Sequence, residues 1–150
     1  MSAAEAYYRC EVKPFSRGQG HSATAAAAYR TKERIQDQRT GLIHDYRRRS
    51  GVEHTEVILP SEVNWIQNRE QLWNAAEVAE TRSNARVARE VVICFPHQLS
   101  PEERIRSAHE FGLWLSREYG VGVDVALHRP GRRGDERNFH AHVMFTTRQV

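Results

Sequence analysis

Residues 139–145 read Phe-His-Ala-His-Val-Met-Phe. Side chains on a β-strand alternate between its two faces. An extended segment here puts His140 and His142 on one face and Phe139, Ala141, Val143 and Phe145 on the other. Such a strand needs a sheet whose apolar face is covered, and this constrains the fold more than any other stretch of the chain. A second strand is predicted at Val123–Leu127, ending at His128. If the two strands are neighbours, three imidazoles converge and can hold one divalent ion. With eight histidines in 150 residues, a His-x-His pair also arises by chance, so two solvated surface histidines are the plain alternative.

A chain of 150 residues is long enough to bury a sizeable core as one domain. The hydrophobic share of 39% and charged share of 27% suit a soluble globular protein and exclude disorder for the bulk of the chain. No apolar run approaches the about 18 residues of a transmembrane helix. Met1–Glu11 lacks the basic stretch and apolar run of a secretion signal, which points to the cytoplasm. Cys10 and Cys94 fall in apolar, strand-like segments and read as buried, reduced thiols; no Cys-x-x-Cys spacing occurs. The net charge is +3, but it is unevenly placed, with clusters at Arg47-Arg48-Arg49 and at Arg129, Arg132 and Arg133. Most basic residues are Arg, the bidentate phosphate ligand. A solvated surface is one reading of these clusters, and contact with a polyanion is the other.

Along the chain, Tyr7–Lys13 alternates as a strand that Pro14 should end. Ser16–Gly20 is a basic, glycine-bearing loop. Ser22 is a helix N-cap, and the alanine run behind it predicts a helix to about Gln36. Thr40-Gly41 marks a turn. The segments 42–47 and 52–59 are expected to form a hairpin around Arg48–Gly51. Helical spacing covers 68–80, and 85–95 reads as a long strand stopped by Pro96. Ser100-Pro101-Glu102-Glu103 is a capping box with Pro at the first helical position. The helix it starts carries Ile105, Ala108, Phe111, Leu115 and Tyr119 on one face and ends at Gly120. The order predicts an α+β fold: a mainly antiparallel, five-stranded-type sheet with helices packed on it. Because the chain stops soon after the histidine strand, residues 1–150 are expected to be one domain, the N-terminal part of a longer protein, with a complete small protein as the alternative.

Three histidines on rigid strands would leave coordination positions open for substrate and water, and ligand identity alone does not select the metal. Asp135 and Glu136, between the first and second histidines, could orient an imidazole or could be ordinary loop charges. Tyr29 follows four alanines. Ala25 and Ala26 precede it by four and three residues on its helix face, and such small neighbours leave its hydroxyl accessible. A Tyr hydroxyl is a weak nucleophile at neutral pH and needs a base or a metal nearby. Side-chain physics alone favours the other reading, a core tyrosine on a buried helix face.

The segment 16–30, Ser-Arg-Gly-Gln-Gly-His-Ser-Ala-Thr-Ala-Ala-Ala-Ala-Tyr-Arg, resembles the N-terminal motif of the MobA/MobL (MobQ-type) plasmid conjugative relaxases, within the HUH endonuclease superfamily. Segments 40–46 and 84–90 are similar to further blocks of that family. His128 followed by Asp135-Glu136-Arg137-Asn138-Phe139-His140-Ala141-His142 is similar to its histidine motif. The resemblance runs in the family's order over nearly the whole chain. It implies an enzyme that nicks one strand at a plasmid transfer origin, forms a 5′-phosphotyrosyl intermediate and rejoins the strand. On that resemblance Tyr29 is the nucleophile, and His128, His140 and His142 bind a divalent metal, with Mn or Mg expected. Glu90 would accept the tyrosine proton or orient a ligand histidine; a strand-edge surface carboxylate is the alternative. Arg17 and Arg89 would contact phosphate, and Arg47, Arg48, Arg49, Arg132 and Arg133 would line a single-stranded DNA channel. The implied partners are transfer-origin DNA, other mobilisation or relaxosome proteins and a coupling protein, without membrane insertion. Members of the family usually continue into primase- or helicase-like regions, which these 150 residues do not include.

Two other functions fit parts of the pattern. A rolling-circle replication initiator is also a tyrosine HUH nuclease, but its nucleophile usually follows the histidine motif, whereas Tyr29 precedes it. A non-catalytic DNA-binding module with a structural metal would keep the histidines and arginines without needing Tyr29.

Overall fold

The computed structural model describes residues 9–131 and 139–150. Strands β1 (Arg9–Ser16), β4 (Val52–Ile58), β5 (Arg86–Phe95), β6 (Val123–His128) and β7 (Phe139–Phe145) form one sheet. Their order is β1-β5-β7-β6-β4, with every neighbour antiparallel. Two short strands, β2 (Arg34–Gln36) and β3 (Ile43–Asp45), pair apart from it. Helices α1 (Ala23–Thr31) and α2 (Arg69–Val78) cover one face of the sheet, and α3 (Pro101–Tyr119) covers the other. The fold is α+β, as the sequence predicts.

The alternation along β7 decides which layer each side chain joins. Ala141 and Val143 pack with Val123, Val125 and Leu127 of β6, Val91 and Phe95 of β5, and Ala108 and Leu115 of α3. On the opposite face Met144 joins Leu72 and Trp73 of α2 and the alanines of α1. The central strand is thus packed on both sides, and His140 and His142 occupy the start of its α1-facing side. α3 approaches the sheet closely at Gly112, where an added β-carbon would lie 2.8 Å from Ile58 Cδ1.

Buried polar contacts fix α1 and α2 over the sheet. Glu77, fully buried on α2, accepts from the first backbone N–H of α1, at Ala23, at 2.6 Å. A carboxylate there complements the positive end of the helix dipole, and the Ser22 side chain caps the same end by accepting from Ala25 N. Asp124, buried on β6, accepts from Trp73 Nε1 at 2.8 Å and from Arg69 Nε at 2.7 Å, which ties α2 to the strand that carries His128.

Several expectations are corrected. Pro14 does not end β1, which runs to Ser16. β1 is an edge strand, where a residue without an N–H costs the ladder least. α1 stops at Thr31 instead of near Gln36, because Lys32 turns left-handed at φ 57°, and β2 follows at once. The hairpin expected around Arg48–Gly51 does not form. β3 turns back on β2 through Thr40-Gly41, while β4 pairs with β6. Local turn signals cannot rank a long-range partner against a neighbouring one. The buried side of α3 holds Arg104, Ala108, Gly112, Leu115 and Ser116, and Tyr119 is exposed. Cys94 is half-buried, not fully buried, and the side chain of Cys10 lies outside the described residues.

Candidate active site

The β6–β7 register sets His128 directly opposite His140 and Ala126 opposite His142, so the three histidines share the α1-facing side of two adjacent strands. Their ring centroids are 5.0 Å (His128–His140), 4.8 Å (His128–His142) and 5.0 Å (His140–His142) apart. One ring nitrogen from each lies within 4.8 Å of the others. Nitrogens bound to one ion at about 2.1 Å stand roughly 3.4 Å apart. Small ring rotations close that difference, and the donor set of three imidazoles fits a divalent transition metal. Nε2 of His128 contacts the backbone carbonyl of Arg30 at 2.6 Å. A carbonyl only accepts, so Nε2 carries the hydrogen and the lone pair sits on Nδ1. Burial pushes the His128 imidazole down to about 4; the Arg30 contact works against that, and the two neighbouring imidazoles add to it. The ring is neutral at pH 7, which is the ligating form.

Glu90 lies behind the triad. It is fully buried on β5, and Oε2 stands 3.1 Å from Nδ1 of His142, a short contact poorly aligned as a hydrogen bond. The Arg30 guanidinium grips the carboxylate through Nε and, at 3.3 Å, through Nη2. Lys13 Nζ approaches to 3.6 Å. Burial raises the carboxyl, but contacts with His142 and Arg30 outweigh it and hold the group at about 2. A carboxylate so stabilised as an anion is a poor proton acceptor at neutral pH. Its position suits orienting the His142 ring.

Tyr29 is 43% exposed, so it is not a core side chain. The helical face it shares with small residues leaves its ring open toward β3 and the loop after it. That ring meets Tyr46 edge-to-face at 5.2 Å. Lys32 Nζ stands 3.9 Å from its centroid and Arg49 Cζ 5.6 Å. Arg30, the next residue, is the one whose carbonyl touches His128 and whose guanidinium holds Glu90. The helix carrying the tyrosine is therefore fastened directly to the histidine cluster.

The expected phosphate contacts fall in three places. Arg47, Arg48 and Arg49 are exposed on the loop after β3 and line a cleft with Asp45 and Tyr46 beside Tyr29. Arg47 Nη2 is paired with Asp45 at 2.7 Å, and its hydrogen bonds hold that carboxyl down at about 2. Arg17 is corrected: its guanidinium donates to Glu77 Oε2 at 2.7 Å and to the carbonyls of Glu77, Glu80 and Arg82. It anchors α2 and presents no open face to a ligand. Arg89 is exposed, but it is adjacent to Glu90 on β5, so strand alternation turns it away from the histidines. Arg132, Arg133, Asp135 and Glu136 lie outside the described residues. Arg30, Lys32 and Tyr46 contact the site without having been singled out in the sequence. The Tyr-Arg pair at 29–30 was the available signal for Arg30, whose partner lies sixty residues away.

Residues 21–150 match the MobA/MobL family. Over 97% of its length the chain is 43% identical to the mobilization protein MobL of Acidithiobacillus ferridurans and spans 43% of that protein. It is 32% identical to the conjugal transfer protein TraA of Rhizobium radiobacter over 90% of its length, and spans 13% of that protein. The chain thus spans less than half the length of these curated relatives. A solved structure described as the molecular basis of vancomycin resistance transfer in Staphylococcus aureus aligns with a TM-score of 0.85 at 34% identity, over 95% of this chain and 71% of that one. The chain belongs to the MobA/MobL family.

Proposed function

We propose that the chain is the nicking unit of a conjugative relaxase, acting in the cytoplasm on single-stranded transfer-origin DNA. The Tyr29 hydroxyl gives up its proton to solvent water as its oxygen attacks the scissile phosphorus. A Tyr O–P bond forms, the P–O3′ bond breaks, and the departing 3′ oxygen takes up a proton. The 5′ phosphate stays on Tyr29, and the reverse transesterification rejoins the strand. His128, His140 and His142 would hold a divalent transition-metal ion such as Mn, which when bound supplies polarisation of a non-bridging phosphate oxygen. Glu90 orients the His142 ring. Arg48 and Arg49 contact the DNA backbone next to the nucleophile. Relaxosome proteins and a coupling protein complete the set of proposed partners.

The observation that carries this reading is the exposed Tyr29 on a helix whose next residue touches both His128 and Glu90. A solvated histidine pair or a purely DNA-binding module gives no reason for that union. The test uses single-stranded oligonucleotides that tile the DNA flanking the gene, incubated with the chain and Mn²⁺ and run on a denaturing gel. A covalent adduct from wild type that is absent from Tyr29→Phe is the expected result. No adduct from folded wild type, or an undiminished one from Tyr29→Phe, would overturn the assignment.

A further inference from the structure

α1 ends on a residue that pays a steric cost to be there. Lys32 adopts φ 57° and ψ 41°, and its N–H closes the helix on the Ala28 carbonyl. This left-handed region favours glycine, because a β-carbon crowds the backbone. The chain follows that rule elsewhere: the 3₁₀ turn Arg17–Gln19 ends at Gly20, φ 81°, and α3 ends at Gly120, φ 67°. Among the described residues Lys32 is the one non-glycine with positive φ. It is also one of two lysines among 22 basic residues. A long side chain kept in a strained backbone position calls for a use of that side chain.

Its contacts supply one. Lys32 Nζ lies 3.9 Å from the Tyr29 ring centroid. The same ring is bounded by the edge-to-face Tyr46 ring, and Arg49 Cζ is 5.6 Å from Tyr29 and 5.8 Å from Tyr46. Among the described residues no carboxylate pairs with Lys32. Its charge is disfavoured first by burial, then by Arg49 and Arg30. The ammonium is therefore held against an aromatic face in a cationic neighbourhood.

We propose that Lys32 is a positioning residue for Tyr29: its ammonium fixes the phenol ring against Tyr46 and sets a positive charge over the ring that carries the attacking hydroxyl. The proposal rests on the relaxase reading above. The glycine preference of the site provides a test that separates this role from a structural one, since Lys32→Gly relieves the backbone strain while removing the cation.

Lys32→Gly, Lys32→Met and Lys32→Arg are compared with wild type in single-turnover cleavage of the tiled single-stranded oligonucleotides with Mn²⁺, alongside DNA affinity and Tm. Lys32→Gly should keep or raise the Tm and bind uncleaved DNA within about twofold of wild type. Its cleavage at saturating DNA should slow by about tenfold, on the scale of a desolvated cation–π contact. Lys32→Met should be equally slow, and Lys32→Arg should recover most of the rate. A wild-type rate from the Gly variant overturns the proposal. So does a loss of affinity with an unchanged saturated rate, or a parallel fall of Tm and rate in all three variants. Wild type forming no adduct removes the relaxase reading and this inference together, whereas wild-type adduct with unaffected variants removes this inference alone.

Discussion

The backbone carbonyl of Arg30 accepts a 2.6 Å hydrogen bond from Nε2 of His128. The residue that follows the exposed tyrosine therefore sets the tautomer of one histidine in the candidate metal centre. Its side chain, gripping Glu90, reaches a second histidine from behind. A helix of nine residues is held in register with two strands about a hundred residues away in sequence, through groups that also prepare the ligands.

Arg30→Ala leaves Glu90 buried without its guanidinium. Removing one member of a buried ion pair costs about 3–5 kcal/mol, and Arg30→Lys should recover only part of this, because an ammonium lacks the fork geometry. Urea unfolding of the three proteins measures it. A change below about 1 kcal/mol in the Ala variant would show that the pair is not integral to the fold.

Metal binding should be visible without any DNA. Free Mn²⁺ at about 100 times its dissociation constant should raise stability by about 2.7 kcal/mol through mass action, read as a Tm increase that EDTA reverses. His140→Ala should abolish the shift. Glu90→Gln should keep the ligands but weaken Mn²⁺ by about 10- to 100-fold in calorimetry, as expected for a group that orients a ligand ring. An unchanged Mn²⁺ affinity in His140→Ala would count against the triad.

The far face of the sheet offers a control. Gly112→Ala would drive a methyl into Ile58 Cδ1, 2.8 Å away. Overpacking of this kind costs up to about 1–3 kcal/mol, the better helix propensity of Ala offsets up to about 1 kcal/mol of it, and a small downward shift of the urea midpoint would show the balance. Mn²⁺ affinity at low temperature should stay at the wild-type value, and its loss would mean that α3 contributes to the site directly.

The start of α3 gives a pH-dependent expectation. The backbone N–H of Ser100, then its side chain, hold the Glu103 carboxyl below its usual range. A group depressed in the folded state contributes stability above its unfolded value of 4.5 and loses it as the pH falls through the folded one. Glu103→Gln should therefore lower Tm at pH 7 and make less difference in acid. Ser100→Ala should cost about 1 kcal/mol at pH 7. An equal penalty for Glu103→Gln at both pH values would remove the electrostatic part of the cap.

The features that were legible in the sequence are those written in local spacing. His140 and His142 follow from strand alternation, Ser100 and Glu103 from the capping box, and Gly120 from its place after the last apolar turn. The features that were not legible depend on distant partners. Nothing near Arg17 shows that Glu77 and three carbonyls will occupy its guanidinium, so its charge reads as available. The segment 42–47 carries no mark saying that it prefers β2 to β4. Lys32 is a poor choice for the residue that stops α1, since glycine is the usual signal, and the alanine run before it extends the apparent helix. Tyr29 was ambiguous for a related reason: small neighbours suit a buried face as well as an open one, and only the placement of α1 over the β6–β7 strands decides between them.

β7 has two audiences. Its α1-facing side presents His140 and His142, while Ala141 and Val143, on the same backbone, are clamped beneath them by α3 and β6. When the underside melts on heating, the spacing of the imidazoles goes with it, with no altered chemistry in between. Heat-sensitive loss of the proposed nicking activity should accordingly arise from substitutions at Ala108, Leu115 or Val125, all of them buried on the α3 side of the sheet, and a screen that scores activity alone would count those positions as part of the site.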